Sequence, residues 1–575
     1  MHVLSGKRVR EKRSTLLGFR VSGIFLVLVL AGCGSGAPKQ SSNQTVPESP
    51  PGAGSTPTPS RSPSGQVAVV TRGYDNARTG ANLNETVLSP ANVNTATFSK
   101  LFSFSFEGDA YAQPLYVPKV PIPGQGTHNV IYVATEHDTV YAFDADGNTA
   151  NPLWTTSFIN PTAGIVPIDP LTDFGLLYED ISREIGITGT PVIDPSSGTL
   201  YVVAKTNENG TFVQRLHALD IASGAEKFGG PVVIDPTFPG QGVKNDGNGN
   251  DVFDPLVCNQ RAALLFQNGI VYVAFGSHGD LDPFMGWVLG FNAQTLKLVT
   301  MFVPTPDDAG GSIWQSGGGP AADVSGNIFV SVSNGGFDVP NGGRDYGDSF
   351  VRLTTTGNQL EPADYFAPFD QQVRNDNDWD LGSGGVMVVP DQSFGPRHLL
   401  IGGDKEGLLF VINRDSMGHF NATDNRNALQ TLEVNGGEAA NQGIFASPAY
   451  WNGQVYIGGV GNPLQSFRLS SGRMTLSSQS ASVFAYPGIT PAVSANGNTN
   501  GIVWAMDVAG FDSGFHTTLH AFDANNLATE LYNSDIAAAR DTAPGGVKFT
   551  IPTIANGKVY VAGRDGMAVY GLLSH

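Results

Sequence analysis

The chain has 575 residues, a formal net charge of −19 and a charged fraction of only 14%. Residues 1–32 carry six basic side chains and one acid, so the remainder sits near −24, which argues against a nucleic-acid or anionic-membrane surface. With only two cysteines, Cys33 and Cys258, no disulfide framework is expected.

In chain order, the first element is a leader. Lys7, Arg8, Arg10, Lys12, Arg13 and Arg20 form a basic region ahead of the apolar run VSGIFLVLVLAG at 21–32. That run is too short for a comfortable membrane span and reads as a secretory signal over residues 1–32. It ends in Leu30-Ala31-Gly32-Cys33, which resembles the lipobox of bacterial lipoproteins. The resemblance implies cleavage before Cys33 and lipidation of Cys33 on its thiol and new amine; two or more acyl chains anchor a protein stably. Residues 33–66 are rich in Ser, Pro, Gly and Thr and read as a disordered tether. These features predict export through the Sec pathway and a lipid anchor at the bacterial cell envelope, at the outer membrane or cell surface. The membrane is then touched through the lipid alone.

From residue 100 onward, short runs of Val, Ile, Tyr and Phe alternate with Asn-Gly and Ser-Gly turns, and no long 3.6-residue periodicity appears. This is an all-β pattern, and it repeats. Units with paired apolar runs lie at 130–147, 199–224, 269–295, 327–357, 398–418, 454–472, 501–526 and 558–573, eight in all. A further strand precedes most pairs, as in YAQPLYV at 111–117 or FTIPTIANG at 549–557, and another follows, as in PLWTTSF at 152–158. Four-stranded antiparallel units repeated eight times predict an eight-bladed β-propeller over residues 67–575. The last unit lacks its fourth strand, while FSKLFSFSFEGD at 98–109 has no preceding partner. The expectation is that 98–109 completes the last blade, because an open apolar edge would template pairing with other chains.

Loop lengths differ between the two faces. The turns between first and second strands are tight, as at 195–198, 267–269, 451–453 and 555–557. The blade-to-blade loops at 159–186, 235–258, 366–380 and 433–443 are long, as are second-to-third loops such as 276–286 and 333–348. In a meander these long loops share one face, and a site is expected there, over the channel mouth.

The phrases YAFDADG, LHALDIASG and LHAFDANN resemble the repeat of PQQ-like (quinoprotein-like) β-propellers, and YDNARTGAN at 74–82 resembles a segment that often precedes their first blade. The similarity spans about residues 70–573. It implies the propeller fold and admits two functions. The dehydrogenase branch expects a vicinal cysteine pair, an Asp base and Ca²⁺ ligands around pyrroloquinoline quinone; this chain has no Cys-Cys, no C-x-x-C-H, and Trp154 as its one clear outer-strand tryptophan of the expected kind. The architecture is more similar to cofactor-free members, including an outer-membrane assembly lipoprotein that docks a β-barrel insertase.

The residues expected at the channel mouth are Glu136, His137, Asp138, Arg261, His278, Asp280, Trp314, Lys405, Lys548 and Arg564. Each also has an ordinary reading in turn chemistry. Asp246, Asn248 and Asn250 in DGNGNDVFD are weak calcium candidates: the loop is rich in oxygen ligands, but Val257 stands where an EF-hand loop would carry Glu. His516 and His520 fall on a strand, too far apart to share zinc, and no nucleophile elbow, Walker loop or dinucleotide fingerprint occurs. The reading is a monomeric ligand- or protein-binding scaffold that expects no cofactor and takes an envelope protein or a small polar ligand as its partner. The alternative is a PQQ- and Ca²⁺-dependent oxidoreductase, and a carbohydrate-binding or lyase-type propeller is a third possibility for which no catalytic set is visible.

Overall fold

In the computed structural model the described residues are 66–573, apart from 176, 177, 179, 358 and 435–442. The expected signal peptide, lipidated Cys33 and tether lie almost wholly outside them. Eight antiparallel sheets form an eight-bladed β-propeller. Blade 1 shows the plan: Leu115–Ile122, Gly126–Thr135, Thr139–Asp144 and Trp154–Ser157 pair in consecutive order. The other blades follow at 192–233, 258–302, 321–367, 387–433, 449–484, 492–533 and 553–572. A small hairpin of Thr237–Pro239 and Asn250–Val252 lies between blades 2 and 3.

The middle strands are apolar without alternation because each sheet is covered on both faces. Val130, Ile131, Tyr132 and Val133 are all at most 2% exposed. Their side chains enter two different cores, Val130 and Tyr132 facing blade 2 while Ile131 and Val133 face blade 8. Similar cores lie between each successive pair of blades around the ring.

A recurring tyrosine reinforces these interfaces. On the second strand, the Tyr of the motif IYV, LYV, VYI or VYV donates its hydroxyl to a backbone carbonyl in the next blade's turn. Tyr132 bonds Ile221 O at 2.9 Å, Tyr201 bonds Ala293 O at 2.9 Å, Tyr456 bonds Ala524 O at 2.8 Å and Tyr560 bonds Ala145 O at 3.1 Å. The last of these links blade 8 to blade 1.

The strand Phe98–Asp109 pairs antiparallel with Lys558–Leu572, with Phe98 opposite Leu572. Lys558–Leu572 is one long strand interrupted by Asp565 at φ 55°, where the sequence suggested two strands and a turn. Phe98 is fully buried against Trp504, Tyr532 and Tyr570 at ring-centroid distances of 5.6, 4.9 and 6.2 Å.

Candidate functional site

The central channel is closed at one end by the chain's own leader into the ring. Residues 67–82 run across the inner strands and hydrogen-bond to all eight blades in turn. Val69 exchanges two 2.8 Å bonds with Tyr116, and Ile193 N donates to Val70 O at 2.8 Å. Asn76 donates Nδ2 to Phe266 O at 2.8 Å and accepts from Ala322 N at 2.6 Å. Val388 N bonds Ala77 O at 2.9 Å, Tyr450 N bonds Thr79 O at 2.8 Å, Val493 N bonds Gly80 O at 2.8 Å, and Asn82 Nδ2 bonds Ile554 O at 3.0 Å. In blade 7 the contact becomes a parallel ladder between Ala81–Asn82 and Ala492–Asn496. Gly80 is required here: its φ is 68°, and a Cβ would stand 2.8 Å from that of Ala449.

Most of the accepting and donating positions lie where first strands run into the tight turns, so the plug seals that face. Arg78 fixes it. Its guanidinium donates to Pro320 O, Thr71 Oγ1, Arg72 O and Leu264 O at 2.7–3.1 Å, and it is 3% exposed.

Above the plug lies a layer of cations and then a throat of rings. Arg72 and Arg261 are 2% and 4% exposed. Burial, with mutual repulsion, pushes Arg72 down to about 9; burial pushes Arg261 down to about 10. Arg261 lies 5.2 Å from the Tyr111 ring and 5.7 Å from that of Phe549. Phe549 stacks on Phe445 at 5.7 Å and meets Trp314 at 6.1 Å and Tyr486 at 6.4 Å, while Tyr486 touches Phe511 at 5.9 Å. Lys405 Nζ lies 5.8 Å from the Trp314 ring and binds Asp378 and Asp380 at 2.7 Å each. Lys548 Nζ sits 5.5 Å from Phe511 and 3.6 Å from Asp180; its burial lowers its pKa. Among the described residues, a cavity beside this throat has only ~10 Å³, about one water.

Arg261, Trp314, Lys405 and Lys548 therefore meet at the throat. Glu136 joins them from blade 1: its Oε2 accepts from Gly186 N at 2.7 Å and Thr188 Oγ1 at 3.1 Å, its Oε1 has no partner, and burial pushes its pKa up to about 8. Asp138 is directed to blade 2, accepting from Lys205 N at 3.1 Å; burial raises it well above the carboxylate range. His278 is buried, its Nδ1 paired with Tyr178 Oη at 2.8 Å, and burial lowers its pKa. Asp280 is exposed at the rim and accepts from Ser277 at 2.7 Å. Arg564 bonds Phe511 O and faces Asp109 at 3.9 Å. His137 points elsewhere, to Glu184 and Glu107 at 2.9 and 3.2 Å.

Asp246 is occupied by its own turn: Oδ1 accepts from Asn248 N at 2.7 Å and Asn250 N at 3.2 Å. Among the described residues, no group of three or more His, Cys, Asp or Glu side chains is placed to hold a metal.

Sequence reasoning missed Arg72, Arg78, Phe445, Phe549, Tyr178 and Lys205. Arg78 and its glycine neighbour lie in YDNARTGAN, which gave the available signal. Phe445 and Phe549 lie in blade-to-blade connections where a single aromatic carries no period.

No protein-family model matches the chain. The fold resembles the quinohemoprotein alcohol dehydrogenase from Comamonas testosteroni (TM-score 0.58, 16% identity, 89% of this chain and 81% of that one). It also resembles quinohemoprotein alcohol dehydrogenase ADHIIG from Pseudomonas putida HK5 (0.55, 13%, 88% and 80%) and a europium-containing methanol dehydrogenase (0.53, 12%, 88% and 98%). At these identities the likeness is one of fold.

Proposed function

We propose that the chain is a cell-envelope lipoprotein whose propeller serves as a binding scaffold, presenting its loop-rich face to a partner. The observation that carries this reading is the filled channel: a plug seals one end and packed rings occupy the other, so the ring offers a rigid surface. That surface has a partner chemistry. Exposed Asp280 and Asp512 lie at the throat beside the Lys548–Asp180 and Lys405–Asp378 ion pairs, and Tyr486 and Phe515 are 37% and 67% exposed beside it. A carboxylate rim around apolar rings, on a chain of strongly negative charge, suits a protein segment carrying Lys or Arg.

The test is photo-crosslinking in envelope preparations from groups placed at Tyr486 or Phe515, with Phe394 (78% exposed) as an off-face control. A partner crosslinked from the first two positions and lost on Asp512→Lys supports the scaffold; labelling only from Phe394 contradicts it. The anchor has a separate test. Cys33→Ser should abolish incorporation of labelled palmitate and release the chain from the membrane fraction.

The fold likeness to quinohemoproteins favours a second reading, a quinone- and Ca²⁺-dependent oxidoreductase. The described residues fit such a group poorly. Ligand pockets measure roughly 300–1,000 Å³, whereas the throat is packed with rings, and Cys258 is a lone buried thiol raised to about 12 by burial. Turnover of alcohols or sugars after addition of pyrroloquinoline quinone and Ca²⁺ would replace the scaffold reading.

A further inference from the structure

Between plug and throat, two of the three buried arginines are incompletely bonded. Arg78 spends all three of its nitrogens on oxygen acceptors. Among the described residues, Arg72 donates Nη2 to Phe549 O at 3.1 Å and Arg261 donates Nη2 to Lys548 O at 3.4 Å. The Nη1 atoms of both are shielded from solvent and have no hydrogen-bond partner. Both lie close to Gly317. A Cβ built on Gly317 would stand 2.4 Å from Arg261 Nη1 and 3.3 Å from Arg72 Nη1. The loop that brings this glycine in holds three successive residues in the left-handed region, Gln315 at 48°, Ser316 at 44° and Gly317 at 84°. Such strain persists where surrounding structure demands it and gathers at ligand clamps.

Among the described residues no carboxylate forms an ion pair with Arg72 or Arg261. Asp75 is tied to Thr79 through both carboxylate oxygens and lies nearest Arg78. Glu136 bonds Gly186 and Thr188, and burial pushes its pKa up to about 8. Neither carboxylate hydrogen-bonds to Arg72 or Arg261. Lys548, the remaining nearby cation, is paired with Asp180. A buried guanidinium cannot escape by losing its proton, and buried charges are stable only when paired.

We propose that Arg72 and Arg261 jointly hold a small inorganic anion of halide size, through their Nη1 groups beneath Phe549. The anion ties the plug to blade 3. The site is independent of the partner-binding reading, since it lies under the throat.

The test uses the purified full chain with chloride and bromide as probes. Unfolding temperature is followed while chloride replaces gluconate at constant ionic strength; a saturable rise of several degrees is expected. Crystals grown in bromide should give an anomalous peak between the two Nη1 atoms. Arg261→Gln should abolish the chloride dependence, whereas Lys548→Gln should keep it. A transition indifferent to chloride with no bromide peak, a peak at the site accounted for by water alone, or a chloride effect that survives Arg261→Gln overturns the proposal. Should Arg261→Gln fail to fold, the bromide peak in the unaltered chain decides.

Discussion

At the scale of single residues, the ring is held by groups that serve two blades at once. Tyr201 is fully buried and its hydroxyl reaches Ala293 O in the next blade. Tyr201→Phe keeps the ring packing but leaves that carbonyl without its donor. The expected cost is ~1–2 kcal/mol, read as a lower denaturant midpoint at unchanged m-value. Glu136 gives a second prediction. Its pKa rises from 4.5 when unfolded to about 8 when folded, chiefly through burial. The folded state therefore holds a proton that the unfolded state has lost. The contribution is fully present below pH 4.5 and is lost as pH rises through about 8. Glu136→Gln mimics the neutral acid, so stability measured by urea unfolding should fall less between pH 5 and 8 in the variant, by up to ~1.4 kcal/mol per pH unit. A slope equal to that of the parent chain would mean that Glu136 is ionised in the folded state.

At the scale of elements, the sequence was most informative where burial imposes a pattern. Strands buried on both faces produce unbroken apolar runs, and the eight runs of this kind could be counted directly. Arg261, Trp314 and Lys548 were recognisable because polar or large groups at the start of an inner strand have only the channel to face. The plug was not recognisable. Residues 67–82 bind blades 1, 2 and 4–7 through their backbone, which carries no residue code, and their side chains, Asn76, Arg78 and Asn82 among them, show neither a period of two nor one of 3.6. Phe98–Asp109 lies between these extremes: its apolar alternation marks a strand, the missing fourth strand of the last unit gave the expectation of where it belongs, and it pairs with Lys558–Leu572. Phe98 is the keystone of that pairing, in contact with blades 7 and 8. Phe98→Ala should cost ~3–5 kcal/mol. Hydrogen exchange should also speed up first in 566–572, because those amides lose the neighbour that covers them. Protection loss confined to residues far from 566–572 would contradict this account.

At the scale of the whole molecule, the plug changes what kind of object the ring is. Blades that touch only their neighbours approximate a one-dimensional array, in which stability is a sum of local terms and opening can start anywhere. A segment bonded to all eight inner strands adds a contact that every blade shares. Opening one blade then strains the segment that braces the others, which favours a single cooperative transition. Arg78 is the strongest test, since one guanidinium reaches both Leu264 O and Pro320 O, beside blades 3 and 4, while bracing Thr71 and Arg72 within the plug. Arg78→Ala strands four buried acceptors at once, so the expected loss is on the order of 3–5 kcal/mol. If the plug couples the blades, tryptophan fluorescence and far-ultraviolet circular dichroism should still report one shared midpoint, moved to lower denaturant, until the plug detaches altogether. Two separated transitions in the unaltered chain would instead show that the blades unfold in groups and that the plug is merely attached to them.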